Sequence, residues 1–322
     1  MTVPALVAGR PNPVEAFVRL SRPLFLGGGV VGIGLGTAVA AYVSGAPIDW
    51  RAWLIAQFTV TAFQLMTHYS NEYFDRFSDA EARRTPFSGG SGILVDGALS
   101  PQVALVAALL AKLSGLFGIA VLVATGHLVA AALAFAIWIL AWSYSAPPTR
   151  LLARGLGEID TALIVAVLVP LTAYAAQARP FTPLAIGATL PGAAAMFAMM
   201  LAVELPDVGS DAAGGKRNLL VRAGRNAIVR IGQAALVGVY SGVLIAFGTG
   251  APLSVVLLEA TTIPAALALA SAFVRATAAD PALRASGNIG LEAIAAARGV
   301  AFFFVVSVAG LLGYLVPLTL SR

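Results

Sequence analysis

Apolar runs of about 20 residues recur along this chain, and short polar stretches separate them. The runs are continuous and lack the alternation of apolar and polar residues that is typical of transmembrane β-strands. A helix of that length crosses the apolar core of a bilayer. The pattern therefore predicts an all-α, polytopic membrane protein with nine transmembrane helices, at residues 24–44, 52–70, 101–123, 127–144, 157–177, 184–204, 227–249, 252–274 and 292–318.

Residues 1–23 are predicted to form a short lead-in to a single transmembrane domain that takes up the rest of 1–322. Within the lead-in, Val14 to Leu20 are typical of an amphipathic helix at the membrane interface. No basic segment followed by a long apolar run opens the chain, so we expect no cleaved signal peptide.

The composition agrees with a membrane protein. Hydrophobic residues make up 59% of the 322 residues and charged residues only 11%, which excludes a soluble domain. The absence of cysteine excludes disulfides and thiolate metal sites. The richness in Ala, Val and Arg is typical of a high-GC bacterium, so we expect the inner membrane of a bacterial cell.

The net charge of +5 indicates membrane topology rather than nucleic-acid binding. With a cytoplasmic N-terminus, 16 of the 20 Lys and Arg residues fall on the cytoplasmic side, as the positive-inside rule requires. Arg51, Arg179 and Arg322 fall on the other side, and Lys112 lies within a helix. The C-terminus is therefore predicted to lie outside.

The predicted cytoplasmic loops after helices two, four and six are long and rich in Gly, Pro and charge, whereas the opposite loops are short. Helices two and six are each followed by acidic residues and a basic, Gly-rich loop, which suggests a duplicated four-helix unit plus a ninth helix. Elaboration of one face indicates that the chemistry lies there.

The first acidic cluster is N-E-Y-F-D-R-F-S-D, from Asn71 to Asp79, where the second apolar run ends. Asn71, Asp75 and Asp79 are spaced i, i+4 and i+8, so a helix places them on one face about 6 Å apart along its axis. Two carboxylates and an amide in that arrangement suit a hard cation such as Mg²⁺.

The second cluster is E-L-P-D-V-G-S-D-A-A-G-G-K-R-N-L, about 130 residues later. Asp207 and Asp211 are again i and i+4, and Lys216 and Arg217 follow in a Gly-rich turn. One such cluster at a membrane edge is more often solvated surface than a metal site. Two clusters on one face, each followed by Gly and basic residues, favour Mg²⁺ ions that bridge a diphosphate between them.

Four segments together resemble the UbiA-type intramembrane prenyltransferases. The first cluster is similar to the N-x-x-x-D-x-x-x-D motif of that family, and D-V-G-S-D-A-A-G-G-K-R-N-L is similar to its second motif. Between them, Y-S-A-P-P-T-R-L-L-A-R-G-L-G-E resembles the segment after the fourth helix, and S-R-P at residues 21–23 resembles the entry into the first.

The resemblance implies nine helices around a central cavity that cytoplasmic loops cover and that opens sideways to lipid. A polyprenyl diphosphate would bind with its head between the two Asp motifs and its tail along the apolar wall. With Mg²⁺, diphosphate would leave, and an electron-rich aromatic acceptor would attack the allylic cation before losing a proton. Water must be excluded, because it would quench the cation.

The same resemblance assigns roles residue by residue. The metal and diphosphate set is Asn71, Asp75, Asp79, Asp207 and Asp211. The expected diphosphate contacts are Arg22, Lys216, Arg217, Arg83 and Arg84, of which the last three are equally well explained as positive-inside anchors. The Gly-rich Thr85 to Gly92 segment is either a source of backbone N–H groups for phosphate or a flexible loop.

Tyr144, Arg150 and His68 are the candidates for the acceptor side, His68 because it lies one turn before Asn71 on the same face. A polar lining role explains His68 as well. Glu158 and Asp160 either face the cavity or cap a helix N-terminus. Lys112 and Glu259 are charges inside predicted membrane helices with no assigned partner.

Three functions remain open at this point. N-E-Y-F-D with G-L-G-E favours the dihydroxynaphthoate branch, which makes menaquinone, and other phenolic or lipid acceptors are the next alternatives. Some relatives instead cyclise the prenyl chain without an acceptor. A cation transporter is disfavoured, because its site would lie near the midplane of the membrane rather than at one face.

Overall fold

A computed structural model describes residues 11–80, 84–278 and 290–320 of the chain, and all regular secondary structure in those ranges is helical. The all-α prediction is therefore confirmed. The helices are α1 (Pro13–Leu20), α2 (Pro23–Ser44), α3 (Trp50–Asp79), α4 (Pro101–Ala124), α5 (Leu128–Ser145), α6 (Gly157–Ala176), α7 (Pro183–Val203), α8 (Val208–Ala213), α9 (Leu219–Ala223), α10 (Arg225–Gly248), α11 (Leu253–Ala260), α12 (Ile263–Ala278) and α13 (Gly290–Leu320).

Seven of these helices are long and apolar enough to cross a membrane, and α11 with α12, bent by 43° at their junction, make an eighth span. Helix α3 is 30 residues long but is not among these spans, because it carries many polar residues, of which Gln64, His68 and Asn71 line the central cavity. The structure thus agrees with an integral membrane protein of about nine helices. Helix α3 continues to Asp79, beyond the apolar run that ends at residue 70, so the whole first motif is helical, as its i, i+4, i+8 spacing predicts.

Close helix contacts around α2 depend on small residues. A Cβ on Gly36 would lie 1.9 Å from the carbonyl oxygen of Pro170 in α6, so only glycine allows this approach. Helix α6 contains a π-helical segment, Ile164–Leu168, just before that proline. Ile164 and Val165 from this segment line the central cavity, so the wider turn forms part of its wall.

Apolar side chains point both inward and outward, as in a bilayer. Two large buried clusters pack between α2, α3 and α5 on one side and between α7, α10 and α13 on the other. Large residues such as Leu113, Phe117, Val237, Leu244 and Leu267 are exposed on the outer faces of the helices. In a membrane these faces contact lipid.

The loops between spans meet at one end of the bundle. The Gly89 amide donates to Asp207, the Arg217 amide donates to the carbonyl of Ala153, and the Leu219 amide donates to Glu158. These bonds join the segments after α3, α5 and α7, as expected from cap loops on one face. Helix α1, which starts at the N-cap Asn12, lies at the same end through the Ser21–Tyr69 hydrogen bond.

Candidate active site

The two acidic clusters face each other across one buried lysine. Lys216 Nζ lies 3.2 Å from Asp75 Oδ2 and 3.2 Å from Asp211 Oδ1, and its side chain is only 8% exposed. An ammonium between two buried carboxylates joins the first motif to the second. The sequence predicted two clusters facing one another, and the structure brings them together through Lys216.

Helix α3 orders the first motif. The Asn71 amide donates to Asp75 Oδ2 at 2.9 Å and to the Ser145 hydroxyl of α5 at 3.0 Å, so the motif is oriented by the neighbouring helix. Asp79, at the last residue of α3, lines the cavity together with Asn71 and Asp75. The i, i+4, i+8 face predicted from the sequence is the face that lines the site.

A break in the chain forms the second motif. Helix α7 ends at Val203, and the turn through Pro206 leads to the short helix α8 that carries Asp211. Gly215, with φ of +75°, turns the chain back so that the Lys216 amide donates to the carbonyl of Asp211. Asn218 then donates to Asp211 Oδ2 at 2.8 Å. The Gly-rich sequence therefore places Lys216 beside the acids.

Burial sets the protonation of these groups. Burial, together with the nearby Asp211, raises the pKa of Asp207 to about 7, and burial likewise raises the pKa of Asp211. Burial alone would lower the pKa of Lys216, yet the carboxylates of Asp75 and Asp211 outweigh it, so that the pKa rises. A cation bound beside these carboxyl groups would favour their charged forms and so lower these pKa values.

The Gly-rich segment after α3 lies over the site rather than in solvent. The Gly89 amide donates to Asp207 Oδ2 at 3.0 Å, and Ser88, Gly89 and Gly90 line the cavity. Gly89 and Gly90 have φ of +76° and +68°, a conformation that favours glycine. The first predicted alternative, backbone N–H groups near the phosphate position, is consistent with this placement.

The predicted arginines occupy different environments. Arg22 lines the cavity with φ of +50°, and Arg150, with φ of +44°, places Nη2 4.0 Å from Asp75 Oδ1. Arg84 instead pairs with Asp96 at 2.7 Å, and the Arg217 side chain is exposed. Arg83 lies outside the described residues.

Tyr144 and His68 both line the cavity. His68 Nδ1 lies 2.8 Å from the backbone carbonyl of Ser21, and a carbonyl can only accept, so Nδ1 carries the proton. In the neutral imidazole, Nε2 therefore carries the lone pair. The sequence identified His68 by its helical face, but the contact with Ser21 depends on the tertiary structure.

Three further acids lie at or beside the site, and of the two alternatives given for Asp160, the structure shows the one that faces the cavity. Glu204 and Asp160 line the cavity, and all four of their carboxylate oxygens are buried without a hydrogen-bond partner. Glu158 accepts from the Leu219 amide at 2.7 Å and so holds the chain after the second motif. Acidic residues within or beside predicted membrane helices were the available signal in the sequence. The sequence did not show which way their side chains point.

The two other charged residues inside spans, Lys112 and Glu259, do not line the central cavity. Lys112 Nζ lies 5.2 Å and 4.9 Å from the ring centres of Trp138 and Trp142, a cation–π arrangement. Glu259, 2% exposed at the α11–α12 junction, lines a smaller slot with Gly310. Lys112 has a structural explanation in its two tryptophans.

The central cavity has a volume of about 250 Å³ and a polar end and an apolar end. The polar end holds both acidic motifs, Lys216 and Arg22. The apolar end is lined by Val60, Phe63, Ile137, Met196 and Phe303. A ligand with a charged head and a long apolar tail matches this division.

The family model of the UbiA prenyltransferase family matches residues 32–289. This chain belongs to the UbiA prenyltransferase family. The match covers both acidic motifs and the segments between them, so the resemblance inferred from the motifs is confirmed. No curated protein sequence matches the chain.

Solved structures of UbiA homologues share the fold. A homologue from Archaeoglobus fulgidus bound to GPP and Mg²⁺ aligns with a TM-score of 0.61 and 16% identity, covering 91% of this chain and 99% of that one. A homologue from Aeropyrum pernix K1 aligns with a TM-score of 0.62 and 16% identity, covering 89% and 98%. A digeranylgeranylglyceryl phosphate synthase aligns with a TM-score of 0.55 and 14% identity, covering 94% and 98%.

The carboxylates of the two motifs suit a Mg²⁺ ion that is held partly by the protein and partly by its ligand. Among the described residues, no group of three or more His, Asp or Glu side chains forms a ready-made metal centre. Asp207 Oδ1 is buried without a hydrogen-bond partner, and each motif supplies two carboxylates. Mg²⁺ is often held by one or two carboxylates, water and substrate phosphates, so this donor set suits a metal that binds together with a diphosphate.

Proposed function

We propose that this UbiA family member transfers a polyprenyl group from an allylic diphosphate to a small aromatic acceptor within the membrane, with Mg²⁺ as cofactor. The observation that supports it most is Lys216 between Asp75 and Asp211, at the polar end of an otherwise apolar cavity. The Archaeoglobus relative with GPP and Mg²⁺ supports the same ligand class.

Asp75 and Asp79 on one side and Asp207 and Asp211 on the other would hold Mg²⁺, with Asn71 orienting the first pair. When bound with diphosphate, Mg²⁺ neutralises negative charge on the leaving group. The buried Asp207 oxygen without a partner supports this role. These four carboxylates would form a two-sided cation clamp, with one motif of the sequence on each side.

Lys216, Arg22 and Arg150 supply positive charge at the position of the diphosphate. The bond between the allylic carbon and the diphosphate oxygen breaks, and its electron pair leaves with diphosphate. Fixed cations at this position stabilise charge that develops as the bond breaks, and they need no reorganisation. The apolar end of the cavity accommodates the prenyl chain and excludes water.

The acceptor would bind beside the allylic carbon, near Tyr144 and His68. The new bond forms from an electron-rich ring carbon of the acceptor, which then loses its proton and regains aromaticity. His68 Nε2, whose lone pair is fixed by the Nδ1 bond to Ser21, is placed to accept a hydrogen bond or proton from the acceptor. We propose that the acceptor is a dihydroxynaphthoate-type acid. We also propose that the protein lies in a bacterial inner membrane, with its cap loops on the cytoplasmic side.

The test incubates purified protein with Mg²⁺, prenyl diphosphates of several lengths and a panel of aromatic acids, with products identified by mass spectrometry. A prenylated hydroxynaphthoate supports the full proposal, and another prenylated phenol changes only the acceptor. Cyclised prenyl hydrocarbon from diphosphate alone would indicate a terpene cyclase. No pyrophosphate and no product with any pair would contradict the proposal.

A matched pair of variants tests the assigned residues. Asp75→Asn should abolish pyrophosphate release because it removes a carboxylate of the clamp, whereas Asp49→Asn, an N-cap of α3 at its opposite end, should retain it. Full turnover by folded Asp75→Asn would refute the ionisation mechanism.

A further inference from the structure

The segment after α3 folds into a compact loop over the cavity, which we call the roof loop (residues 84–96). Its two ends are joined by the ion pair between Arg84 Nη1 and Asp96 Oδ2 at 2.7 Å. Thr85 and Ser88 bond to each other within it. Closed ends and internal bonds are typical of a loop that moves or stays as one unit.

The roof loop rests on two carboxylates. Its Gly89 amide donates to Asp207 Oδ2 at 3.0 Å. Its Ser91 donates twice to Glu72, from the amide to Oε1 at 2.6 Å and from the hydroxyl to Oε2 at 2.8 Å. The contact with Glu72 is therefore the more extensive of the two, and it uses both carboxylate oxygens.

The two contacts differ in what they can do during turnover. Asp207 belongs to the proposed cation clamp, so its oxygens would be shared with the cation and the Gly89 bond is open to exchange. Glu72 is 3% exposed and lies two helical turns before Asp79, and the carboxylates of both residues lie beside Gly90 of the roof loop. Both oxygens of Glu72 already accept bonds from Ser91, so this carboxylate is committed to the roof loop rather than to the cation.

We infer that Glu72 is a positioning residue that keeps the roof loop closed while the allylic cation exists. This inference rests on the proposed function. With the loop closed, the acceptor captures the cation. With the loop open, the oxygen of a water molecule bonds to the allylic carbon and releases a proton to solvent, which gives the prenyl alcohol instead.

The ratio of prenyl alcohol to prenylated acceptor tests this role, because a merely structural defect lowers both products together. We expect Glu72→Ala to raise the ratio by about tenfold, since losing both bonds shifts the loop towards its open state. Reactions in ¹⁸O-water should place the label in the alcohol. Glu15→Ala, a matched control on the exposed interfacial helix α1, should leave the ratio unchanged.

Ser91→Ala keeps the amide bond to Glu72 and removes the hydroxyl bond, so it should raise the ratio less than Glu72→Ala. The double variant should resemble Glu72→Ala alone, because both act through one contact. Unchanged ratios in Glu72→Ala and Ser91→Ala would overturn the inference. If Glu72→Ala does not fold, an unchanged ratio in Ser91→Ala overturns it by itself.

Trypsin cleavage after Arg84 separates this inference from the proposed function, because it needs no turnover. Glu72→Ala should be cleaved there about tenfold faster than wild type if the loop opens. Faster cleavage in a protein that releases no pyrophosphate would reject the prenyl transfer but keep the role of Glu72 in closing the roof loop. Normal transfer with equal cleavage rates and equal product ratios would reject the role of Glu72 alone.

Discussion

Replacing Lys216 by Met removes the charge that joins the two acidic motifs. Each Nζ–oxygen distance is 3.2 Å, so each contact is worth about 5 kcal/mol of gross attraction at an effective dielectric constant of about 20. Desolvation of the buried groups offsets much of this. Removing one partner from a buried ion pair nevertheless costs about 3–5 kcal/mol, because the remaining charges are left unpaired.

The same charge would stabilise the departing diphosphate. Loss of one fixed donor at a developing charge lowers kcat by about 10²- to 10³-fold. We therefore expect Lys216→Met to release pyrophosphate at least about 100-fold more slowly than wild type under saturating Mg²⁺. We also expect a lower unfolding temperature in detergent without Mg²⁺, because Asp75 and Asp211 then repel each other across the empty space.

Single-turnover pyrophosphate release and thermal unfolding measure these two effects separately. Lys216→Arg keeps the charge and should retain more activity than Lys216→Met. Arg217→Met, at the exposed neighbouring residue, should be affected far less. A folded Lys216→Met protein with pyrophosphate release within about twofold of wild type would refute the charge-clamp reasoning, because a loss that small is far below one fixed donor's contribution.

Two further predictions rest on single contacts, and a third concerns the topology. Gly36→Ala should lower stability by about 1–3 kcal/mol in detergent unfolding, because its methyl group meets the Pro170 carbonyl, whereas Gly192→Ala, whose nearest neighbour would be 3.6 Å away, should not. Asn218→Asp keeps the N-cap of α9 but replaces the donor to Asp211 by a second buried carboxylate, so slower pyrophosphate release and lower stability are expected, and unchanged release would contradict a site role. Since the chain has no cysteine, a single Thr249→Cys should react with an impermeant thiol reagent from outside the cell, and reaction only after permeabilisation would reverse the proposed topology.

The positions of the helices and of the motif residues were predictable because they depend on local patterns. Apolar runs of membrane length fix where spans lie, and the spacing of Asn71, Asp75 and Asp79 fixes one helical face whatever surrounds it. The apolar run ends at residue 70, nine residues before α3 ends at Asp79. The helix continues beyond the apolar region. A hydrophobicity pattern therefore does not show where this helix ends.

The sequence by itself thus determined a helical membrane protein and two acidic motifs, because period and composition are properties of neighbouring residues. Only the tertiary structure decided that Lys216 lies between Asp75 and Asp211, and that Glu72 holds Ser91. Those contacts join residues up to 141 positions apart in the chain. These contacts depend on how whole helices pack together and on how the loops then turn back over the bundle. No local sequence pattern determines that arrangement.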